Sequence, residues 1–176
     1  MESQVRRRRV TAARRILPDD WERFRDVRLE SLRDHPEAFT ADLAVESALT
    51  RDDWRARCSE AWFTCEIRGV FAGTAKYWRD SGSAKTAHVG HLGALYVRGA
   101  FRGQGVGDAL IEAVTALAWD EGAEFVVLGV HTKNLSAQAL YERHGFKAFG
   151  MLPGALKVDG VYWDEIHMVR LLTTGI

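Results

Sequence analysis

The segment Arg102-Gly103-Gln104-Gly105-Val106-Gly107 follows an apolar, strand-like run and leads into a helix-like one. A helix start presents backbone N–H groups that have no intrahelical acceptor, together with a partial positive charge. Glycines let the backbone approach a ligand closely and adopt positive φ. A loop of this composition in this context can cradle an anion such as a pyrophosphate. Two familiar nucleotide motifs do not fit. The loop lacks a Gly-Lys-Ser/Thr ending, and the third glycine of a Gly-x-Gly-x-x-Gly fingerprint would fall on Asp108.

The flanking sequence reads as an α/β layer design with a mixed sheet. Val10 to Leu17 is predicted as a first strand, stopped by Pro18, with Asp19 or Asp20 capping a helix. Trp21, Phe24, Val27, Leu29 and Leu32 carry that helix to about Arg33, and His35-Pro36 breaks it. Residues 36–49 carry no clear pattern. Thr50 is placed to cap a short helix, Arg51 to Cys58. Strands over Ala61–Ile67 and Val70–Trp78 flank a tight Arg68-Gly69 turn, and a polar loop at residues 80–83 leads to a long strand, Ala87 to Val97.

Asp108 to Glu121 is an amphipathic helix, with Leu110, Ile111, Val114, Leu117 and Ala118 on one side. Phe125 to Val130 suits a strand buried on both faces. A second helix runs from Leu135 or Ser136 to His144, and Gly145 stands at its C-cap. Phe146–Met151 and Val161–Leu171 are the last strands, separated by a loop holding Pro153 and Asp159-Gly160. No repeat or linker divides the chain, so residues 10–176 are expected to form one domain behind a basic tail, residues 1–9.

Composition narrows the partners. Lys plus Arg and Asp plus Glu are each 24 among 176 residues, so the formal net charge is zero. A balanced chain has no long-range attraction to nucleic acid or to an anionic membrane, and an anion site must be local. The Arg6 to Arg9 run reads as a solvated terminus, and no signal-peptide core follows it. No apolar run approaches the ~20 residues needed to span a bilayer. Cys58 and Cys65 are too few for a disulfide framework and lack zinc-site spacing. They read as small buried hydrophobes, with no metal and a reducing, cytoplasmic setting as the expectation.

In the glycine loop the chain resembles the GNAT superfamily of N-acetyltransferases. Arg102, Gly105 and Gly107 match every fixed position of the Arg/Gln-x-x-Gly-x-Gly/Ala signature, and Leu95-Tyr96-Val97 is similar to the strand that precedes it. A second block, Asn134, Ala137, Leu140-Tyr141 and Gly145-Phe146, matches the family pattern downstream. The resemblance implies a mixed sheet of about seven strands, with helices on both faces and a splay between the fourth and fifth strands. It implies acetyl-CoA as acyl donor and direct attack by an amine in a ternary complex.

The resemblance also implies roles. Residues 102–107 (Arg102, Gly103, Gln104, Gly105, Val106 and Gly107) would hold the pyrophosphate. Leu95, Tyr96 and Val97 would pair with the pantetheine arm, and a backbone N–H near Leu95 or Tyr96 would hold the oxyanion. Tyr141 stands at the general-acid position. Asn134 either bonds the pantetheine or caps its helix. His91 stands where the family often has a glutamate base, and the two-residue strand period puts it on one face with Gly93, Leu95 and Val97, with His88 pointing the other way. The family builds its acceptor pocket from early helices and C-terminal strands, which here offers Phe39, Glu46, Trp78, Tyr162 and Trp163. Asp164 and Glu165 are further carboxylates for a cationic substrate. A small-molecule amine is the expected acceptor. The alternatives are a protein or peptide N-terminus, or a non-catalytic acyl-CoA sensor. A homodimer, common in the family, fits as well.

Overall fold

The computed structural model describes residues 12–80 and 82–173. The expected basic tail lies outside the described residues. The seven strands are β1 (Arg14–Arg15), β2 (Trp62–Ile67), β3 (Val70–Arg79), β4 (Val89–Val97), β5 (Phe125–His131), β6 (Lys147–Val158) and β7 (Val161–Leu171). They form one sheet in the order β1-β2-β3-β4-β5-β7-β6. Among the described residues only β4 and β5 pair in parallel, and every other neighbour is antiparallel. Among the described residues the five α-helices are α1 (Trp21–Asp34), α2 (Leu43–Ser47), α3 (Arg51–Cys58), α4 (Val106–Asp120) and α5 (Leu135–Arg143).

Local chemistry explains most boundaries. Thr50 accepts from Asp53 N–H, and the Asp53 side chain returns a bond to Thr50 N–H, so α3 starts where expected. The unassigned stretch 36–49 contains a 3-10 turn, Pro36–Ala38, and the short α2, whose cap Asp42 accepts from Ala44 and Val45 N–H. Two expectations change. The first strand is only Arg14–Arg15 among the described residues. The last loop is shorter than expected, because β6 continues to Val158. Pro153 is tolerated there because the ladder is already irregular between Leu152 and Leu156.

The sheet separates two apolar clusters. On one face α4 buries Leu110, Ile111, Val114 and Ala118 against Phe63, Ala72, Val126, Leu128 and Val130. On the other, Phe24 and Val27 of α1 and Trp54 of α3 pack against Trp62, Phe71 and Tyr96. Strand alternation supports this division, since neighbours such as Trp62 and Phe63 enter opposite clusters.

Two irregularities shape what lies between β4 and β5. Their parallel ladder runs only through Val89–Phe125, Gly90–Val126 and His91–Val127, and β4 departs from β5 beyond it. This is the expected splay between the fourth and fifth strands. Against β3, Lys76 pairs with Gly93 and Thr74 pairs with Tyr96, so β4 carries an extra residue there. Ala94 takes φ +50° at this bulge, a left-handed conformation uncommon for a residue with a Cβ.

The bulge corrects the predicted facing of the strand. Leu92, Leu95 and Val97 pack with the α4 cluster, whereas Ala94 and Tyr96 pack with the α1 cluster. His91 and Gly93 therefore do not share a face with Leu95 and Val97. The inserted residue shifts the two-residue alternation by one.

Candidate active site

The splay opens into a cleft of about 580 Å³. Leu95, Tyr96 and Val97 of β4 form one side. Arg102, Gly103, Gly105, Val106 and Gly107 form the end at the start of α4, and His131, Lys133, Asn134 and Leu140 form the opposite side. His35, Glu37 and Phe39, from the turn after α1, close the remaining edge.

The helix start has the properties of an anion cradle. Gly105 is the N-cap of α4 at φ +85° and has no side chain with which to cap it. The first N–H groups of α4 lack intrahelical acceptors by construction, and here they border the cleft. Gly103 also has positive φ, +71°. Arg102 is anchored by its Nε–H, which donates to the Val97 carbonyl at 3.0 Å, while Nη2 lies 3.1 Å from His35 Nε2. A guanidinium can only donate, so His35 Nε2 accepts and the ring proton sits on Nδ1, 3.4 Å from Glu37 Oε1. Gln104 does not line the cleft. Its side-chain amide donates to the Ala100 carbonyl at 2.9 Å and braces the loop from behind.

Helices α4 and α5 meet directly below this cradle. Asp108, in the first turn of α4, lies 2.9 Å from His144 Nε2 and 3.3 Å from Arg143 Nη2. Burial alone would raise its pKa, but these two partners hold the carboxyl below its ordinary value. Asn134 caps α5, accepting from Ala137 N–H at 3.1 Å and from the Ser136 hydroxyl at 3.1 Å. It also lines the cleft, so capping does not remove it from reach of a ligand.

Tyr141 is buried in the α4-side cluster, edge-on to Phe146 with ring centroids 5.9 Å apart. Burial pushes its phenol well above the ordinary value, so the hydroxyl keeps its proton at any physiological pH. Tyr141 is not among the residues that line the cleft, whose α5 wall is formed by Ser136, Ala137, Leu140 and Arg143.

Other expected site residues lie elsewhere. His91 does not line the cleft. It stacks on Trp78 with centroids 5.1 Å apart and planes 10° from parallel, and its Nε2 is 3.6 Å from Asp80 Oδ2. Glu46 is 2% exposed and held by Arg28 at 3.0 and 3.1 Å and by Arg57 at 2.9 Å. Its two oxygens are committed to a buried ion cluster that ties α1, α2 and α3 together. Tyr162 is exposed on β7 with the Lys157 ammonium 4.8 Å above its ring. Phe39 does line the cleft, with the Arg28 guanidinium 5.2 Å from its centroid. Trp163 does not line the cleft but touches two residues that do, edge-on to His131 at 5.4 Å and with the Lys133 ammonium 4.8 Å from its ring centroid.

The structure adds residues that sequence reasoning missed. His131 and Lys133 line the cleft directly before Asn134, and their proximity to that motif residue was the available signal. Glu37 lies at the breaker after α1. Gly73 on β3 has no sequence signal at all: a Cβ there would collide with the Tyr96 carbonyl oxygen, so only glycine lets β4 follow its bulged path.

Comparison with known proteins agrees with this geometry. The family model described as the acetyltransferase (GNAT) family matches residues 21–146. A putative phosphinothricin acetyltransferase, YwnH, of Bacillus subtilis is 32% identical over 80 residues, covering 46% of this chain and 47% of that protein. The chain thus spans about half the length of this curated relative. A GNAT-family acetyltransferase from Streptococcus pneumoniae superposes with a TM-score of 0.80 at 21% identity, covering 91% of this chain and 98% of that one. The putative acetyltransferase yncA from Salmonella typhimurium, solved with its cofactor acetyl-CoA, superposes at 0.81 with 18% identity, covering 95% and 96%. The glycine loop and the splayed strands thus lie on a shared fold, and this chain belongs to the acetyltransferase (GNAT) family.

Proposed function

We propose that this protein transfers the acetyl group of acetyl-CoA to the amine of a small molecule, by direct attack in a ternary complex. The observation that carries the reading is the uncapped start of α4 opening onto the cleft between splayed strands. The pyrophosphate would rest on N–H groups of residues 103–107, with Arg102 and Lys133 supplying positive charge. The peptide-like pantetheine arm would take the strand edge that β4 leaves unpaired at Leu95 to Val97. Asn134 would meet the same arm from the other lip. The occurrence of acetyl-CoA in the related Salmonella structure supports the donor.

The chemistry follows from the groups present. The thioester carbonyl, seated at the bulge, accepts a hydrogen bond from a β4 backbone N–H near Leu95 or Tyr96, which stabilises the developing oxyanion. As the C–S bond breaks, the sulfur would take a proton from the Tyr141 hydroxyl, which burial has kept protonated, while the remaining proton of the attacking nitrogen restores that hydroxyl. Phe39, which lines the cleft, would offer aromatic surface to the acceptor.

The name of the Bacillus relative, a phosphinothricin acetyltransferase, supports a small-molecule acceptor. The free, buried thiols of Cys58 and Cys65 accord with a reducing compartment. A homodimer would cover the exposed side chains of Phe149, Met151 and Leu152 on β6 and Tyr162 on β7.

Calorimetric titration with acetyl-CoA, followed by thiol release against a panel of small amines and short peptides, tests the reading. Binding with turnover on a small amine is expected. Turnover confined to peptides would replace the acceptor, and folded protein that fails to bind acetyl-CoA would overturn the proposal.

A further inference from the structure

The geometry points to His131 as the catalytic residue that receives the proton of the acceptor ammonium, directly or through one water. The inference rests on the acetyl-transfer reading above.

Position is the first argument. His131 is the last residue of β5, four beyond Val127, where the ladder to β4 ends. It lines the cleft from the lip opposite Leu95 to Val97, where the thioester would lie. Val126, Leu128 and Val130 enter the α4 cluster, so His131 projects to the α1 face of the sheet with Val127 and Gly129. The acceptor side and the donor side meet at this lip.

Its surroundings are the second argument. The Trp163 ring meets the imidazole edge-on at 76° and limits its rotation. Nδ1 is shut from solvent and has no hydrogen-bond partner among the described residues. A buried polar atom without a partner calls for an explanation, which a ligand or ordered water in the adjoining cleft would supply; His91 Nε2 is another such atom, but it lies away from the cleft. The titratable groups facing the ring are Glu37 and His35 from the turn after α1, Lys133 from its own loop and Glu165 from β7. Burial is the largest influence and lowers the imidazole pKa, with His35 and Lys133 adding to it and the two carboxylates opposing. The ring is therefore the free base at neutral pH. His91, in contrast, sits where β4 and β5 are still bonded and lies outside the cleft.

The proton balance closes. An ammonium acceptor loses one proton to His131 and becomes a nucleophile. Its nitrogen forms the C–N bond, the C–S bond breaks, and the electron pair leaves on sulfur. Sulfur takes the proton of the Tyr141 hydroxyl, the second nitrogen proton passes to the Tyr141 oxygen and restores the phenol, and the imidazolium returns the first proton to water.

The test compares wild type with His131→Asn and His91→Gln, using an amine that the wild type acetylates. Calorimetric affinity of each variant for acetyl-CoA reports whether the fold and donor site survive. His131→Asn is expected to lower kcat by about 100-fold, with unchanged acetyl-CoA affinity. It should also remove the acidic limb of the kcat profile, along which wild-type activity falls as pH drops through the pKa of the base. The His131 ring signals, followed by NMR in the acetyl-CoA-free protein, should titrate below the ordinary histidine value of about 6.5. An unchanged limb in His131→Asn, or a limb that vanishes only in His91→Gln, would overturn the assignment while leaving the acetyltransferase intact. A wild type that binds acetyl-CoA but acetylates no amine would sink the acetyl-transfer reading itself, and this inference with it.

Discussion

Gly107 and Leu140 touch across the α4–α5 contact so closely that a Cβ on Gly107 would come within 2.7 Å of Leu140 Cδ2. The glycine of the signature loop thus does more than free the backbone, because it lets the second helix close against the cradle. The obstructing atom is the tip of a flexible side chain, so the protein can yield by moving it. Leu140 also lines the cleft, so its displacement changes the site. Gly107→Ala is expected to leave stability within about 1 kcal/mol of wild type. It should weaken acetyl-CoA binding by roughly 10-fold, or ~1.4 kcal/mol. Denaturant titration beside calorimetry separates the two effects.

Gly73 gives the opposite pattern. The obstacle to a Cβ there is the Tyr96 carbonyl oxygen, part of the backbone of the bulged strand. It cannot rotate away without breaking the register between Thr74 and Tyr96. Gly73→Ala should destabilise the fold by about 2–3 kcal/mol, read from the urea midpoint at constant slope.

Tyr141→Phe removes one hydroxyl from a packed ring and leaves its contact with Phe146. Acetyl-CoA affinity should therefore persist while kcat falls by about 100-fold. Because burial holds the phenol well above its ordinary value, the wild type should show no loss of activity from Tyr141 ionisation up to about pH 10. A pH profile with a decline near pH 8 that Tyr141→Phe abolishes would contradict this.

Asp20 should govern part of the response to acid. Its carboxylate accepts from Arg14 at 2.7 Å, pairs with Arg23 and accepts from Leu17 N–H at 3.0 Å. These partners, Arg14 foremost, hold it down at about 2 against an unfolded value of 3.8. A depressed carboxyl stabilises the fold above its unfolded pKa, and the contribution disappears as pH falls from about 4 to about 2. Asp20→Asn should cost on the order of 1–2 kcal/mol at neutral pH and flatten the stability profile in that window. Thermal unfolding at a series of pH values checks both.

The helices other than α2 were legible because their signals are local. Thr50 and Asp53 cap α3 within one turn, and the apolar spacing of Phe24, Val27 and Leu32 names the buried side of α1. The glycine loop was legible for the same reason: a helix start and three glycines determine its backbone chemistry without help from the rest of the chain. Two motif blocks in order were enough for the family.

What the sequence could not determine depends on partners distant along the chain. The facing of β4 follows from a bulge that β3 imposes at Ala94, with room left by Gly73, so strict alternation placed His91 beside Leu95 when the two lie on opposite faces. Glu46 carries the charge a cationic acceptor needs, but Arg28 and Arg57 reach it from two other helices and bury it. His131 had no motif of its own and became a site residue only where β5 runs past the end of its ladder with β4. Periodicity, caps and glycines act over a few residues and are written in the sequence. Strand register, charge pairing and the mouth of the splay are set by contacts between distant segments, and only the tertiary structure decides them.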